Sequence, residues 1–241
     1  MVSTTHSRIK RRAGTLRIWS ANSRSAATRR TSGHYGRSNA LPRPRPPAGF
    51  EDEIVAVELF FAKDEHNRPG TTLDGLAALK PAFRPDGTIT AGNAPGINSG
   101  AAAVVLADED WARDRGLAPA ARLVSYGIGA VEPGMFGLGP IPAVRQALDR
   151  AGWRLGDVER IEINEAFAAI AIVVTRELGL PEDIVNVEGG AIAHGHPIGA
   201  TGAVLTTRLI HSMRRDGLRR GLVTLCIGGG QGIALALKIV W

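Results

Sequence analysis

The sequence is poor in cysteine, in aromatic residues and in long apolar runs. Cys226 is the one cysteine among 241 residues, and aromatic residues make up 5% of the chain. A single cysteine excludes an internal disulfide framework, so nothing argues for secretion. No apolar run approaches the roughly 20 residues that a membrane-spanning helix needs. We therefore expect a cytoplasmic protein that does not associate with a membrane.

Acidic residues are missing from the first part of the chain. Residues 1–50 hold 11 of the 29 Lys and Arg residues and no Asp or Glu, which leaves 18 basic and 23 acidic residues in 51–241, a net charge of −5. The net charge of +6 for the whole chain therefore comes from residues 1–50. The remainder is mildly acidic, so we expect no nucleic-acid partner.

Residues 1–48 show no sustained apolar period, which predicts a basic leader without packed structure. Three interpretations fit its composition. A transit peptide is rich in Arg and Ser and poor in acidic residues, and a nucleic-acid-binding arm has the same charge. An artefactual leader, from a misassigned start or a frameshift ahead of a real domain, is the interpretation that we favour.

Strand and helix patterns alternate along the rest of the chain. Before residue 119 we predict a strand at 54–61, a short helix at 73–79, an apolar run of small residues at 100–107 and a charged helix at 108–116. After it we predict strands at 121–129, 158–163, 184–187, 222–227 and 233–240, and helices at 142–152, 165–178 and 198–215. This alternation indicates an α/β fold with a mostly parallel sheet, its last two strands forming an antiparallel pair.

Three polar residues follow predicted strands, at the edge where sites gather in such a sheet. These are Asn164, His196 and Cys226, and we expect them to converge. An imidazole can withdraw the proton of a nearby thiol, and the thiolate is the reactive form. Backbone N–H groups at 228–230 can point at a developing oxyanion. The Asn164 amide can hold a water molecule or a carbonyl oxygen.

Other interpretations of the same residues stay open. A cysteine in an apolar strand is commonly an inert core residue. His194, His196 and Cys226 are too few, and spaced too unlike a common zinc site, to predict a metal ion. The glycines after Cys226 lack the spacing of a dinucleotide-binding loop, and the chain contains no P-loop and no G-x-S-x-G motif.

Together these residues resemble the thiolase family. The segments N-E-A-F-A at 164–168, G-G-A-I-A-H-G-H-P-I-G-A-T-G at 189–202 and C-I-G-G-G-Q-G at 226–232 are similar, in order, to its three carboxyl-terminal signatures. Residues 68–83, 90–103 and 137–143 resemble its coenzyme A-binding loop domain and core. The resemblance covers about 49–241. It implies a layered αβαβα fold with an incomplete amino-terminal half and domain limits of 49–118 and 119–241.

The resemblance implies a role for individual residues. His196 resembles the histidine that activates the nucleophilic cysteine, and Cys226 the second cysteine, which exchanges a proton with the α-carbon or the leaving thiol. Asn164 resembles the asparagine that holds a water in one oxyanion hole, and the Gly228 N–H a donor in the other. Further contacts with CoA or its acyl group are implied for Arg68, Ala94 and Phe167. No separate cofactor is implied, since CoA and acyl-CoA are substrates.

The implied reaction is acyl transfer between a 3-ketoacyl-CoA and CoA, as thiolysis or Claisen condensation. The family's nucleophilic cysteine lies in its amino-terminal half, and this chain has no cysteine before Cys226. We therefore expect the isolated chain to be inactive. The alternatives are a non-catalytic CoA-binding or partner subunit, a truncated pseudogene product, and a thioesterase-like hydrolase that uses Cys226. A homo-oligomer and pairing with a complete thiolase chain are both open.

Overall fold

The computed structural model describes residues 50, 52–56, 66–68 and 70–241. The predicted leader at 1–48 and most of the predicted strand at 54–61 lie outside these residues. Within the part of the chain that is described, every helix is too short or too polar to cross a membrane.

Among the residues that the structure describes, regular structure is concentrated after residue 120. Two short helices come before it, α1 (Leu73–Ala77) and α2 (Glu109–Asp114). The elements that follow are β1 (Ala121–Ala130), α3 (Pro140–Ala151), β2 (Arg160–Ile163), α4 (Ala168–Leu178), α5 (Ala191–His194), α6 (Thr201–Arg215), β3 (Arg220–Ile227) and β4 (Gln231–Ile239). Three 3₁₀ turns occupy Pro133–Leu138, Leu155–Asp157 and Glu182–Ile184.

The long helices end where the sequence predicts. Gly152 after α3 and Gly179 after α4 adopt left-handed backbone angles, with φ of 65° and 69°. Glycine reaches this conformation without the strain that a Cβ atom imposes, which is why it so often follows a helix. The start of α4 differs from the prediction, because Phe167 is extended, with φ of −151°, and the helix begins only at Ala168.

The sheet has four strands in the order β1-β4-β3-β2. Strands β2 and β3 pair in parallel, whereas β4 is antiparallel to both β3 and β1. It follows that β1, β2 and β3 run in one direction and β4 runs against them. The α/β class is confirmed, but the described sheet is mixed rather than mostly parallel. The cause is that the predicted hairpin after β3 inserts β4 between β1 and β3.

The predicted strand at 184–187 is wrong. Of residues 184–187, Val185 alone makes a parallel bridge, to Ile161 of β2. The next residue, Asn186, has φ of 44°, which takes the backbone out of the extended region. Its side-chain amide then bonds the backbone of Ile163, where a further strand residue would have paired. Hydrogen bonds from the Asn186 side chain therefore take the place of backbone strand pairing at Ile163.

Helices cover both faces of the sheet. On one face α3 and α4 bury the larger apolar cluster, which includes Val144, Ile170 and Leu222. On the other face α6 packs Leu209 and its neighbours against the strands, in a cluster that includes Met213, Val223, Leu237 and Ile239. Apolar burial on both faces makes β2 and β3 a rigid base for the residues that follow them.

Residues 70–118 pack far less. Both short helices have a side-chain cap at their start, since the Thr72 and Asp108 oxygens accept backbone N–H groups within the first turn. The apolar run at 100–107 forms no helix or strand, and all its residues are exposed. Local signals therefore determine structure in this region, while little of its apolar surface is buried.

Candidate active site

Asn164 is the first residue after β2 and is 1% exposed. Its backbone N–H donates to the Thr224 carbonyl oxygen at 2.9 Å, which continues the β2–β3 pairing into the site. Its side-chain Nδ2 lies 3.3 Å from Nε2 of His196. The structure thus brings together two residues that are 32 positions apart and that the sequence predicts to converge.

The hydrogen bonds around His196 determine which ring nitrogen carries the proton. Nδ1 lies 2.7 Å from the Thr201 hydroxyl oxygen, and that hydroxyl donates its one hydrogen to the Pro197 carbonyl oxygen at 2.8 Å. The hydroxyl must therefore accept from Nδ1–H. In the neutral ring Nε2 then has a lone pair, which faces the Asn164 amide. This tautomer presents a base at the site.

Burial lowers the pKa of His196 below its ordinary value. A lower pKa keeps the imidazole neutral near pH 7, so Nε2 can accept a proton. The Asn164 side-chain oxygen is buried and has no hydrogen-bond partner among the described residues. A buried acceptor of this kind is suited to a donor from a water molecule or a substrate.

Asn98 was not singled out from the sequence, yet it orients the segment that carries His196. Its side-chain oxygen accepts the His196 backbone N–H at 3.0 Å, although 98 positions separate the two residues. Gly195, with φ of 98°, lies so close that a Cβ atom there would be 2.7 Å from the Asn98 side chain. The signal in the sequence is only that Asn98 lies in the segment 90–103.

Cys226 lies at the same edge of the sheet, near the end of β3. Ile163 of β2 is level with Thr224 of β3, so Cys226 is two positions further towards the carboxyl edge. Its side chain is partly buried and packs against the larger apolar cluster. Gly228 is exposed in the turn that follows β3. Both residues are thus at the edge that carries Asn164, as the sequence predicts.

Phe167 is the centre of an aromatic group beside the site. Its ring is 6.1 Å from that of Phe83 and 6.5 Å from that of Phe136, and both pairs are close to edge-on. Phe136 belongs to the 3₁₀ turn after β1 and is 5% exposed. The group is an apolar wall that can contact an acyl chain.

Arg68 lines a cavity of about 240 Å³. Residues of α1 and of α5 face the same cavity, among them Leu76 and Ile192. Ala94, the other predicted CoA contact, is not among its lining residues. Its neighbour Asn93 ties this loop to the site, because the Asn93 carbonyl oxygen accepts the N–H of Ala168 at the start of α4, at 2.9 Å.

His194, the other histidine of the H-G-H motif, makes contacts different from those of His196. Nε2 of His194 lies 3.1 Å from the Glu188 carbonyl oxygen, and its ring packs beside that of Phe50. Among the described residues, no group of three or more His, Cys, Asp and Glu side chains is placed to hold a metal ion.

A cluster of buried charges under α6 was not predicted. Arg208 pairs with Glu53 and with Glu188, and Glu162 of β2 lies in the same cluster, 1% exposed. Burial raises the pKa of Glu162 to about 8, against the opposing effect of Arg208. One Glu162 oxygen has no hydrogen-bond partner among the described residues. Glu162 is therefore neutral near pH 7 and contributes no charge to the site two residues away.

The chain is similar to thiolases in both sequence and structure. The model of the thiolase C-terminal domain matches residues 117–239, and that of the thiolase N-terminal domain matches residues 36–110. An acetyl-CoA acetyltransferase of Paracoccus denitrificans is 52% identical over 196 residues, which are 78% of this chain and 50% of that protein. A probable acetyl-CoA acyltransferase of Staphylococcus epidermidis is 52% identical over 197 residues, again 50% of that protein.

Solved structures give the same result. An acetyl-CoA acetyltransferase of Bacillus anthracis superimposes with a TM-score of 0.87 at 42% identity, covering 94% of this chain and 59% of the other. Human mitochondrial 3-ketoacyl-CoA thiolase in complex with CoA gives 0.85 at 35% identity, covering 94% and 58%. The chain therefore spans about half the length of the curated relatives that it matches.

Proposed function

The chain belongs to the thiolase family, and we propose that it is the carboxyl-terminal part of an acyltransferase that exchanges an acyl group between a 3-ketoacyl-CoA and CoA. The observation that carries this proposal is the pair formed by Asn164 and His196. A neutral imidazole whose Nε2 carries the lone pair can take the proton of a thiol that reaches it, and the Asn164 amide beside Nε2 holds the ring at the site.

The proposed roles are those that the resemblance implies, and the positions of Asn164 and His196 support them. His196 Nε2 accepts the proton of a thiol nucleophile, and the resulting thiolate attacks the 3-keto carbon. When the carbon–carbon bond breaks, Cys226 supplies the proton that the α-carbon of the leaving thioester takes up. Asn164 and the Gly228 N–H stabilise the oxygens that become negative. Phe167 contacts the acyl chain, and Arg68 contacts the CoA part.

The isolated chain lacks a nucleophile for this reaction. Cys226 is its one cysteine, and the resemblance puts the family's nucleophilic cysteine in the amino-terminal half, of which this chain contains only a part. We propose that the site turns over only when another polypeptide segment supplies that cysteine. The domain limits of 49–118 and 119–241, the cytoplasmic location and the oligomeric state stay predictions.

The experiment is a chimera that joins the amino-terminal half of the Paracoccus denitrificans relative to residues 49–241. We expect thiolysis of acetoacetyl-CoA by the chimera and none by the isolated chain. His196→Ala should lower kcat of the chimera by about 10²-fold or more, because it removes the general base. His211→Ala, a histidine change on α6, is the matched control. A folded chimera without activity, or one in which both variants have equal activity, would contradict the proposal.

A CoA-binding subunit without catalysis is a second candidate, favoured by the cavity beside Arg68. Calorimetry of the isolated chain with CoA, compared with Arg68→Ala, tests it. Binding that depends on Arg68, together with an inactive chimera, would support this function over acyl transfer. The thioesterase alternative requires an acyl group on Cys226, so an unchanged protein mass after incubation with acetyl-CoA would exclude it.

A further inference from the structure

Glu165, directly after Asn164, is a buried carboxylate outside the roles proposed above. It is 1% exposed. Its Oε1 accepts from Nδ2 of Asn186 at 3.3 Å, and its Oε2 accepts from the backbone N–H of Ile192 at 3.2 Å. One side chain thus bonds the loop after β2 to two segments that lie more than 20 positions later, including α5.

Asn186, which Glu165 contacts, is in turn hydrogen-bonded to β2. Its Oδ1 accepts the Ile163 N–H at 2.7 Å, and its Nδ2 donates to the Ile163 carbonyl oxygen at 2.9 Å. The same Nδ2 therefore bonds both Ile163 and Glu165. Because Ile163 precedes Asn164, the amide and the carboxylate hold the backbone on both sides of the Asn164 side chain.

The segment that leads to His196 lies in close contact with the same carboxylate, at Gly190. A Cβ atom at Gly190 would lie 2.4 Å from the Glu165 carboxyl carbon and 2.8 Å from Nδ2 of Asn186. A Cβ atom at these distances would displace the Glu165 carboxylate and the Asn186 amide, so the contacts described here go with a glycine at this position. From Gly190 the chain forms the single turn of α5 and reaches His196 after Gly195.

These contacts place Glu165 between the two halves of the catalytic pair. It is bonded to the backbone turn that precedes His196, and it is covalently next to Asn164, whose Nδ2 contacts His196. We propose that Glu165 is a positioning residue that holds α5, and with it His196, at contact distance from Asn164. This proposal gives Glu165 a role in the proposed acyl-transfer site, and it rests on that function for its biological meaning.

Removal of the carboxylate has a definite consequence. The Ile192 N–H and the Asn186 amide lose an acceptor in a region without access to water, and buried donors without partners are costly. In Glu165→Gln, one oxygen remains and the other is replaced by an NH₂ donor. That NH₂ group replaces one of the two acceptors, and the amide oxygen that remains is a weaker acceptor than a carboxylate oxygen, so the Ile192 and Asn186 contacts are each lost or weakened while the volume is kept.

The test uses the chain itself, in forms labelled with ¹⁵N, and needs no enzyme activity. In Glu165→Gln we expect hydrogen exchange at the Ile192 amide to rise about tenfold or more, since its acceptor is weakened. We also expect the pKa of His196, measured from its ring nitrogen shifts, to rise towards the ordinary value as α5 moves away and water enters. Glu165→Ala should show larger effects in the same direction.

Glu162→Gln at pH 6 is the matched control, because it changes a buried glutamate of β2 that lies on the other side of Asn164. It should leave both measurements unchanged. The proposal is overturned if Glu165→Gln lowers the melting temperature but keeps the wild-type Ile192 exchange and His196 titration. If Glu165→Ala does not fold, Glu165→Gln decides alone. An inactive chimera would contradict the proposed function without affecting either measurement.

Discussion

Apolar side chains occur both in residues 121–241 and in residues 70–118, but the two regions differ in how far these side chains are buried. In the first region Val144, Leu209 and Val223 are 0% exposed, between the sheet and its helices. In the second region Ile97 and Val105 are 102% and 98% exposed. The first region is held by an apolar core on each face of the sheet, and the second has only short capped helices and turns.

The difference shows how the candidate site is built. Asn164 and Cys226 follow strands of the packed region, so their backbones are positioned by the core. The other region reaches the site through the Phe83 ring beside Phe167 and through two polar contacts, the Asn98 side chain on the His196 N–H and the Asn93 carbonyl oxygen on the Ala168 N–H. We infer that changes in the packed region affect the stability of the fold, whereas changes in 70–118 affect mainly local geometry and solubility.

The largest expected effect comes from the core under α6. Leu209→Ala removes a side chain that is 0% exposed and should lower the free energy of unfolding by about 2–5 kcal/mol. Ile97→Ala, in the exposed region, should change it by less than about 0.5 kcal/mol. Urea unfolding followed by tryptophan fluorescence measures both. Equal effects of the two variants would show that the two regions do not differ in packing.

The next effect depends on pH and concerns Glu162 in the packed region. Burial raises its pKa from 4.5 to about 8, so the folded state binds the proton more tightly than the unfolded state. The stability that this provides is complete below the unfolded pKa and is lost as pH rises towards about 8. Glu162→Gln has no such group, so its stability relative to wild type should increase between pH 5 and 8 and then level off, by a few kcal/mol.

Thermal melts across this pH range measure the effect. Asp114→Asn, which makes the corresponding change at an exposed carboxylate of the loosely packed region, is the control, and the pH dependence of Glu162→Gln is read as the excess over that control. If Glu162→Gln follows wild type at every pH, the carboxyl is ionised and stabilised in the fold. The packed region would then tolerate a buried charge that we expect it to exclude.

Much of the packed region could be predicted from its sequence. The apolar periods and the glycines after α3 and α4 are local signals, and they determine where those helices end. The position of Asn164 follows from the rule that sites lie at the carboxyl ends of parallel strands, whereas the H-G-H-P segment brings His196 to Asn164 without the strand predicted before it. Local patterns and chain topology were sufficient to predict the ends of these helices and the position of Asn164.

Other features depend on contacts that leave no local pattern. Asn186 ends the predicted strand because its side chain bonds Ile163, 23 positions earlier. Asn98 orients His196 across 98 positions. Single polar contacts of this kind have no period, and an asparagine in a loop is commonly only a turn residue. The sequence therefore predicts the proximity of Asn164 and His196 better than it predicts the residues that hold them there.

The smallest expected effect on stability concerns the exposed apolar run at 100–107, in the loosely packed region. An exposed, uncharged apolar run promotes association between chains, and a charge within it opposes this. Val105→Lys should therefore raise the soluble fraction after heating, while the free energy of unfolding changes by less than about 0.5 kcal/mol because the side chain is already in water.

Leu117→Lys is the control for this prediction, because it adds the same charge at an exposed leucine outside the run. Centrifugation of heated samples at several protein concentrations measures the effect. A larger gain for Val105→Lys would identify the run as the cause of association, and equal gains would assign it to net charge alone.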